Sequence, residues 1–96
     1  MSADPDDDFY NRADAHIHLS NAHAKEIGVG KVSASMMYGT ARFNAWLSAR
    51  GFDSAEEMEA AKSQSIEYYI NEYKAMLEEN FDDYIKNFAS YMKPSH

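Results

Sequence analysis

Apolar positions recur at spacings of three and four along most of the chain, the period of an amphipathic helix. Between about Asp8 and Ile27 they fall at Phe9, Ala13, His16 or Ile17, Ser20, Ala24 and Ile27. Gly28 and Gly30 follow, and the pattern predicts that they stop this first helix. A second helix is predicted from Val32 or Ser33 to Ala49 or Arg50. Its buried stripe is Val32, Met36, Gly39 or Thr40, Phe43, Trp46 and Leu47, flanked by small residues that would let a neighbour approach closely. Gly51 ends it. A third helix opens on a capping box, Ser54 with Glu57 three residues later. Its stripe runs through Met58, Ala61, Ser65, Ile66, Tyr69, Ile70, Tyr73, Leu77, Phe81, Tyr84, Phe88 and Tyr91 or Met92 without a proline or glycine between residues 54 and 93.

This third pattern is too long for the other two. A continuous helix of about 39 residues is roughly 58 Å long, against roughly 28–30 Å for each of the first two. The favoured reading is one continuous helix. Asn80, followed by Asp82 and Asp83, is the place where it would break into a further capped helix. The predicted fold class is therefore all-α: an antiparallel helical bundle of three helices with a long third helix, or of four if it breaks near Asn80. Residues 1–8 read as a poorly ordered acidic tail whose charges suit the positive end of the first helix. Residues 9–93 read as a single helical domain and residues 94–96 as a C-terminal tail, with Pro94 as the stop.

Size and charge narrow the function. A folded monomer of 10.9 kDa exposes roughly 5,600 Å², about one-third of what its unfolded chain exposes, which supports one modest core. The chain has no cysteine, so disulfides, thiolate nucleophiles and Cys-based zinc sites are excluded. Net charge is −7, carried mostly by the C-terminal half. That balance argues against a nucleic-acid backbone and an anionic membrane surface as partners. The acidic opening is unlike a signal or transit peptide, no apolar run approaches the roughly 18 residues of a membrane span, and the expected location is cytoplasmic.

Several motifs invite a chemical reading. Asp14-x-His16-x-His18 would gather metal ligands on a strand, but on a helix His16 and His18 diverge by about 200°. His16 and His23 share a face about 10.5 Å apart, too far for one ion. His23 with Glu26 reverses the Glu-x-x-His order of di-iron bundles. The segment from Gly28 to Ser33 lacks the earlier glycine and the Ser or Thr directly after the lysine that a phosphate loop needs; the plainer reading is a helix-breaking turn. Asp4-x-Asp6-x-Asp8 lacks the later glycine and glutamate of a calcium loop. No Gly-x-Ser-x-Gly elbow occurs. Arg42, Trp46 and Arg50 stand on one face of the second helix, a small basic-aromatic stripe whose plainer role is pairing with acids of the third helix. No catalytic residue, metal ligand or cofactor site is predicted, and no enzyme.

The tyrosines are the more informative signal. Five of seven, Tyr68, Tyr69, Tyr73, Tyr84 and Tyr91, lie on the third helix. Tyrosine suits surfaces that are half apolar and half wet, at a core edge or at an interface. The far end of that helix, with Phe81, Tyr84, Phe88 and Tyr91, would project bare from a three-helix monomer, and a large exposed apolar patch implies a partner. The expectation is a non-catalytic protein-interaction or self-associating module whose surface is those four residues and whose partner is a second copy or another protein. A small-ligand or metal-binding helical bundle is the alternative, motivated by His16, His18 and His23.

The stretches Lys31-Val32-Ser33-Ala34-Ser35-Met36-Met37-Tyr38-Gly39-Thr40-Ala41-Arg42-Phe43-Asn44-Ala45 and Tyr73-Lys74-Ala75-Met76-Leu77-Glu78-Glu79-Asn80-Phe81-Asp82-Asp83-Tyr84-Ile85 resemble a family of small acidic proteobacterial proteins classed as a domain of unknown function. The resemblance covers most of the chain beyond the acidic tail. It implies a small helical cytoplasmic protein, and it carries no functional residue over.

Overall fold

A computed structural model describes residues 6–93, which form five helices and no strand. Residues 1–5 of the expected acidic tail, with Asp4 of the Asp-x-Asp-x-Asp motif, lie outside the described residues, as do residues 94–96 and the expected stop at Pro94. The chain divides into two units with their boundary between Met58 and Glu59.

In the first unit, α1 spans Phe9–Ile27 and α2 spans Val29–Ala49. The last acids of the tail are tied to the start of α1. The Asp6 carbonyl accepts from the Phe9 amide at 3.1 Å. The Asp6 carboxylate accepts from the Arg12 guanidinium at 2.8 Å and from the Asp8 amide at 3.0 Å. The Arg12 hydrogen bond, and then the Asp8 amide, hold the Asp6 carboxyl below its ordinary pKa.

A single residue separates the two helices. Gly28 adopts φ 94° and ψ 152°, a backbone region essentially reserved for glycine. Its amide closes α1 by donating to the Ala24 carbonyl at 2.9 Å, and its carbonyl opens α2 by accepting from Val32 at 3.4 Å. The expectation that Gly30 also stops α1 is corrected. One residue at positive φ suffices to reverse the helical course, so Gly30 is taken into α2, which starts three or four residues earlier than the pattern predicts.

Burial also differs from the predicted stripe. Val32, one turn past the junction, is buried. Met36, Phe43, Trp46 and Leu47 of the same stripe are exposed, as are Ile17 and Ile27 on α1. Small side chains take most of the half-buried positions instead, namely Ala13, Ser20 and Ala24 on α1 and Ser48 on α2, with Phe9 and Asn44 half-buried as well. Most of the large apolar side chains of these helices remain exposed.

Amides of Arg50, Gly51 and Phe52 bond back to Trp46, Ser48 and Ala49 and end α2. The capping box then forms as predicted on one side: Ser54 Oγ accepts from the Glu57 amide at 3.1 Å. The reciprocal bond is displaced by one residue, with Glu57 Oε1 accepting from the Asp53 amide at 3.0 Å. The short α3, Ala55–Ala60, follows and spans the boundary between the units.

In the second unit the expected continuous helix is corrected. It is interrupted at Ala61 and at Asn87, giving α4, Lys62–Lys86, and α5, Phe88–Met92. Asn80, the expected break, lies inside α4 and its side-chain amide donates to the Met76 carbonyl at 2.8 Å. The reason for the choice of Asn87 is local hydrogen bonding that competes with the helix. Its side-chain amide donates to the Asp83 carboxylate at 2.9 Å and to the Asp83 carbonyl at 3.1 Å. Tyr91 Oη, one turn into α5, donates to the same carboxylate at 3.1 Å. Asp83 thus collects donors from the interruption and from α5 beyond it. Asn80 has no such acceptor cluster in front of it.

Candidate interaction surface

The four residues expected to form an interaction surface come together at the junction of α4 and α5. Phe81, Tyr84 and Phe88 line an open groove of about 370 Å³ with Leu77, Asn80 and Ile85. Tyr91 reaches back from α5 so that its ring lies 4.8 Å from that of Tyr84, inclined at 59°. The Asp83 hydrogen bond fixes that position. That bond and the nearby carboxylate charge also raise the Tyr91 phenol above its ordinary pKa, because losing the proton would break the bond and set two negative charges together. Lys93 Nζ lies 6.0 Å from the centre of the Phe88 ring, so the groove ends under a cation.

Of the apolar residues lining the groove, Ile85 alone lies outside the predicted stripe. It stands four residues after Phe81 and is 70% exposed, the highest value among them. The i, i+4 relation to Phe81 and the i, i+8 relation to Leu77 were the available signal; Ile85 sits at the margin of the stripe rather than in its centre.

The amount of uncovered surface is large. The chain exposes 8,614 Å². No residue of α4 or α5 is buried.

The other candidates fare differently. His16, His18 and His23 all lie exposed on α1, and among the described residues no three His, Asp or Glu side chains gather as a metal site. Arg50 places its guanidinium 5.2 Å from the Trp46 ring centre, and Phe43 lies 5.4 Å from the same ring. This arginine therefore lies on an aromatic ring of its own stripe. The turn from Gly28 to Ser33 is the junction between α1 and α2, with Lys31 exposed in the first turn of α2. No described helix is long and apolar enough to cross a membrane.

No curated protein matches the chain. It is similar to a structure solved by NMR, that of the protein NB7890A from Shewanella sp., with 40% sequence identity and a TM-score of 0.78 over 96% of this chain and 98% of that one. The family described as "Protein of unknown function (DUF3144)" matches residues 9–85, from the first residue of α1 to the last turn of α4, taking in Phe81 and Tyr84 and stopping short of Phe88 and Tyr91. The chain belongs to that family.

Proposed function

We propose that this chain is a non-catalytic self-associating module, and that the α4–α5 face carrying Phe81, Tyr84, Phe88 and Tyr91 is where it meets a second copy. The observation that carries the reading is the exposed apolar groove on a unit that buries no residue of its own. The side chains gathered at the surface are aromatic and aliphatic, which suits adhesion rather than proton or group transfer. In this reading the antiparallel bundle that the sequence pattern calls for is completed by helices of a second copy, and the assembly works in the cytoplasm.

Light scattering on the full chain at tens of micromolar tests it. A dimer mass for the wild type, falling to the monomer mass for Phe81→Ala/Tyr84→Ala, is the expected result. A strictly monomeric wild type overturns the reading.

A further inference from the structure

The apolar row on α4 has a periodicity that the groove alone does not reveal. It begins at Ile66, passes Ile70 and Tyr73, and reaches Leu77; the same steps of four, three and four then lead through Phe81 and Tyr84 to Phe88. This is an eleven-residue repeat, traversed twice. Eleven residues in three turns is 3.67 per turn, close to the 3.6 of a straight helix. The row therefore runs nearly parallel to the helix axis for about 33 Å. Every member is between 40% and 61% exposed. Phe88 belongs to it although it stands in α5, because it lines the same groove as Leu77 and Tyr84.

The row is also a palindrome about Leu77. Tyr73 and Phe81 lie four residues to either side of it, Ile70 and Tyr84 seven, Ile66 and Phe88 eleven. A two-fold axis requires that a surface be complementary to its own reversed copy. An arbitrary partner makes no such demand on one helix. Reversal about Leu77 sets Leu77 against Leu77, Tyr73 against Phe81, Ile70 against Tyr84 and Ile66 against Phe88. Apart from the aromatic pair next to the centre, each outer layer joins an aliphatic side chain to an aromatic one, the large-with-small alternation that fills a helix interface without voids.

Charge is kept to the flanks of the row. The row itself carries no ionisable acid or base other than tyrosine, and Glu79 and Asp82 fall on the opposite side of α4. Lys74 and Glu78 stand on one flank of the row, four residues apart. In an antiparallel pair related by a two-fold axis the same flanks face each other. Lys74 then comes within about one turn of the second copy's Glu78, and the symmetry makes that contact twice. The same register brings Glu78 equally close to the second copy's Glu78, so the two Lys74 side chains flank a pair of carboxylates near the axis and offset their repulsion.

The geometry points to an antiparallel α4–α4 homodimer whose two-fold axis passes at Leu77. This rests on the self-association proposed above and adds the face, direction and register.

The absence of native cysteines makes the test clean. Under mild oxidation of the full chain, Leu77→Cys is expected to form a disulfide-linked dimer, because the two positions meet at the axis. Ile66→Cys is expected not to, because its two copies stand about 33 Å apart along the axis. A spin label on Glu67→Cys, beside the row, keeps the test alive should Leu77→Cys weaken the dimer; the separation expected between labels is about 30 Å or more. A parallel pair would cross-link both cysteine variants and bring the Glu67 labels within about 15–20 Å at the usual interhelical spacing. That result overturns the register while leaving self-association standing. So would a wild-type dimer in which Leu77→Cys does not cross-link and the Glu67 labels show no separation near the expected value. A wild-type monomer overturns the proposal together with the reading beneath it.

Discussion

The two units of this chain solve the same problem in different ways. The α1–α2 unit turns on a backbone device, one glycine at φ 94°, and buries Val32 beside it. The α4–α5 unit has no buried residue and no glycine; its local order comes from a polar knot in which Asp83 accepts from Asn87 and Tyr91. Hydrogen bonds of that kind fix a local geometry but contribute little net stability when exposed, because water competes for the same groups. In proteins most of a helix's stability comes from packing of its apolar face, and that of α4 is exposed. If the proposed self-association holds, the second unit depends on its partner more than the first does.

The sharpest way to break the comparison is to put a charge in the groove. Phe81→Asp is expected to abolish dimerisation at tens of micromolar, a loss of well over 2 kcal/mol of association free energy, as for a central aromatic anchor. Helicity should fall with it, since the exposed α4 would stand alone, and circular dichroism with light scattering reads both effects. If Phe81→Asp gives a monomer of undiminished helix content, α4 does not need its partner and the contrast between the units collapses.

The first unit should respond to backbone changes instead. Gly28→Ala is expected to cost about 1–3 kcal/mol, because nothing lies within 4 Å of the added methyl and the whole penalty is the conformation itself. Gly30→Ala, inside α2 and equally open, should stabilise by about 0.5–1 kcal/mol. Opposite signs two residues apart, measured as shifts in thermal midpoint at fixed protein concentration, would establish that Gly28 alone makes the junction. Equal signs would mean that Gly30 shares the role the spacing first gave it.

Val32→Ala should follow with a loss of about 1.5 kcal/mol, two buried methylenes' worth. Denaturant titration at fixed protein concentration measures it, and a change within a few tenths would show that Val32 is not the anchor of the first unit.

What could be read from the sequence follows the same division. The bounds of α1 and the end of α2 were legible, because apolar spacing and glycines report the local backbone directly. The capping box at Ser54 was legible because both its partners lie within one turn. Burial of α2 was not: periodicity shows which side chains share a face, and only tertiary contacts decide whether anything covers it. The interruption at Asn87 was hidden for another reason. Asn80 and Asn87 are both followed by residues compatible with helix, and the difference lies in Asp83, one turn before Asn87, and Tyr91, one turn after it, which must fold together before the break is favoured. The candidate surface was largely legible, since Phe81, Tyr84 and Phe88 fall into one groove, with Ile85 at its edge left out.

The polar knot supplies the smallest expected effect, and its sign can be worked out. The Tyr91 phenol is raised in the folded chain by its bond to Asp83. A group whose folded pKa is raised contributes stability that is fully present below its unfolded value, near 10 for tyrosine, and lost as pH rises through the folded one. The packing of α5 against α4 should therefore loosen only above about pH 10, and by little, because the pair is open to solvent. Spectroscopic titration should show a late tyrosine step, and Tyr91→Phe should remove it. Asp83→Asn should return it to the ordinary range, since the amide keeps the shape of the acceptor while discarding its charge. If Tyr91→Phe leaves the late step in place, the hydrogen bond to Asp83 does not form in solution, and the interruption at Asn87 would have to be held by the Asn87 side chain alone.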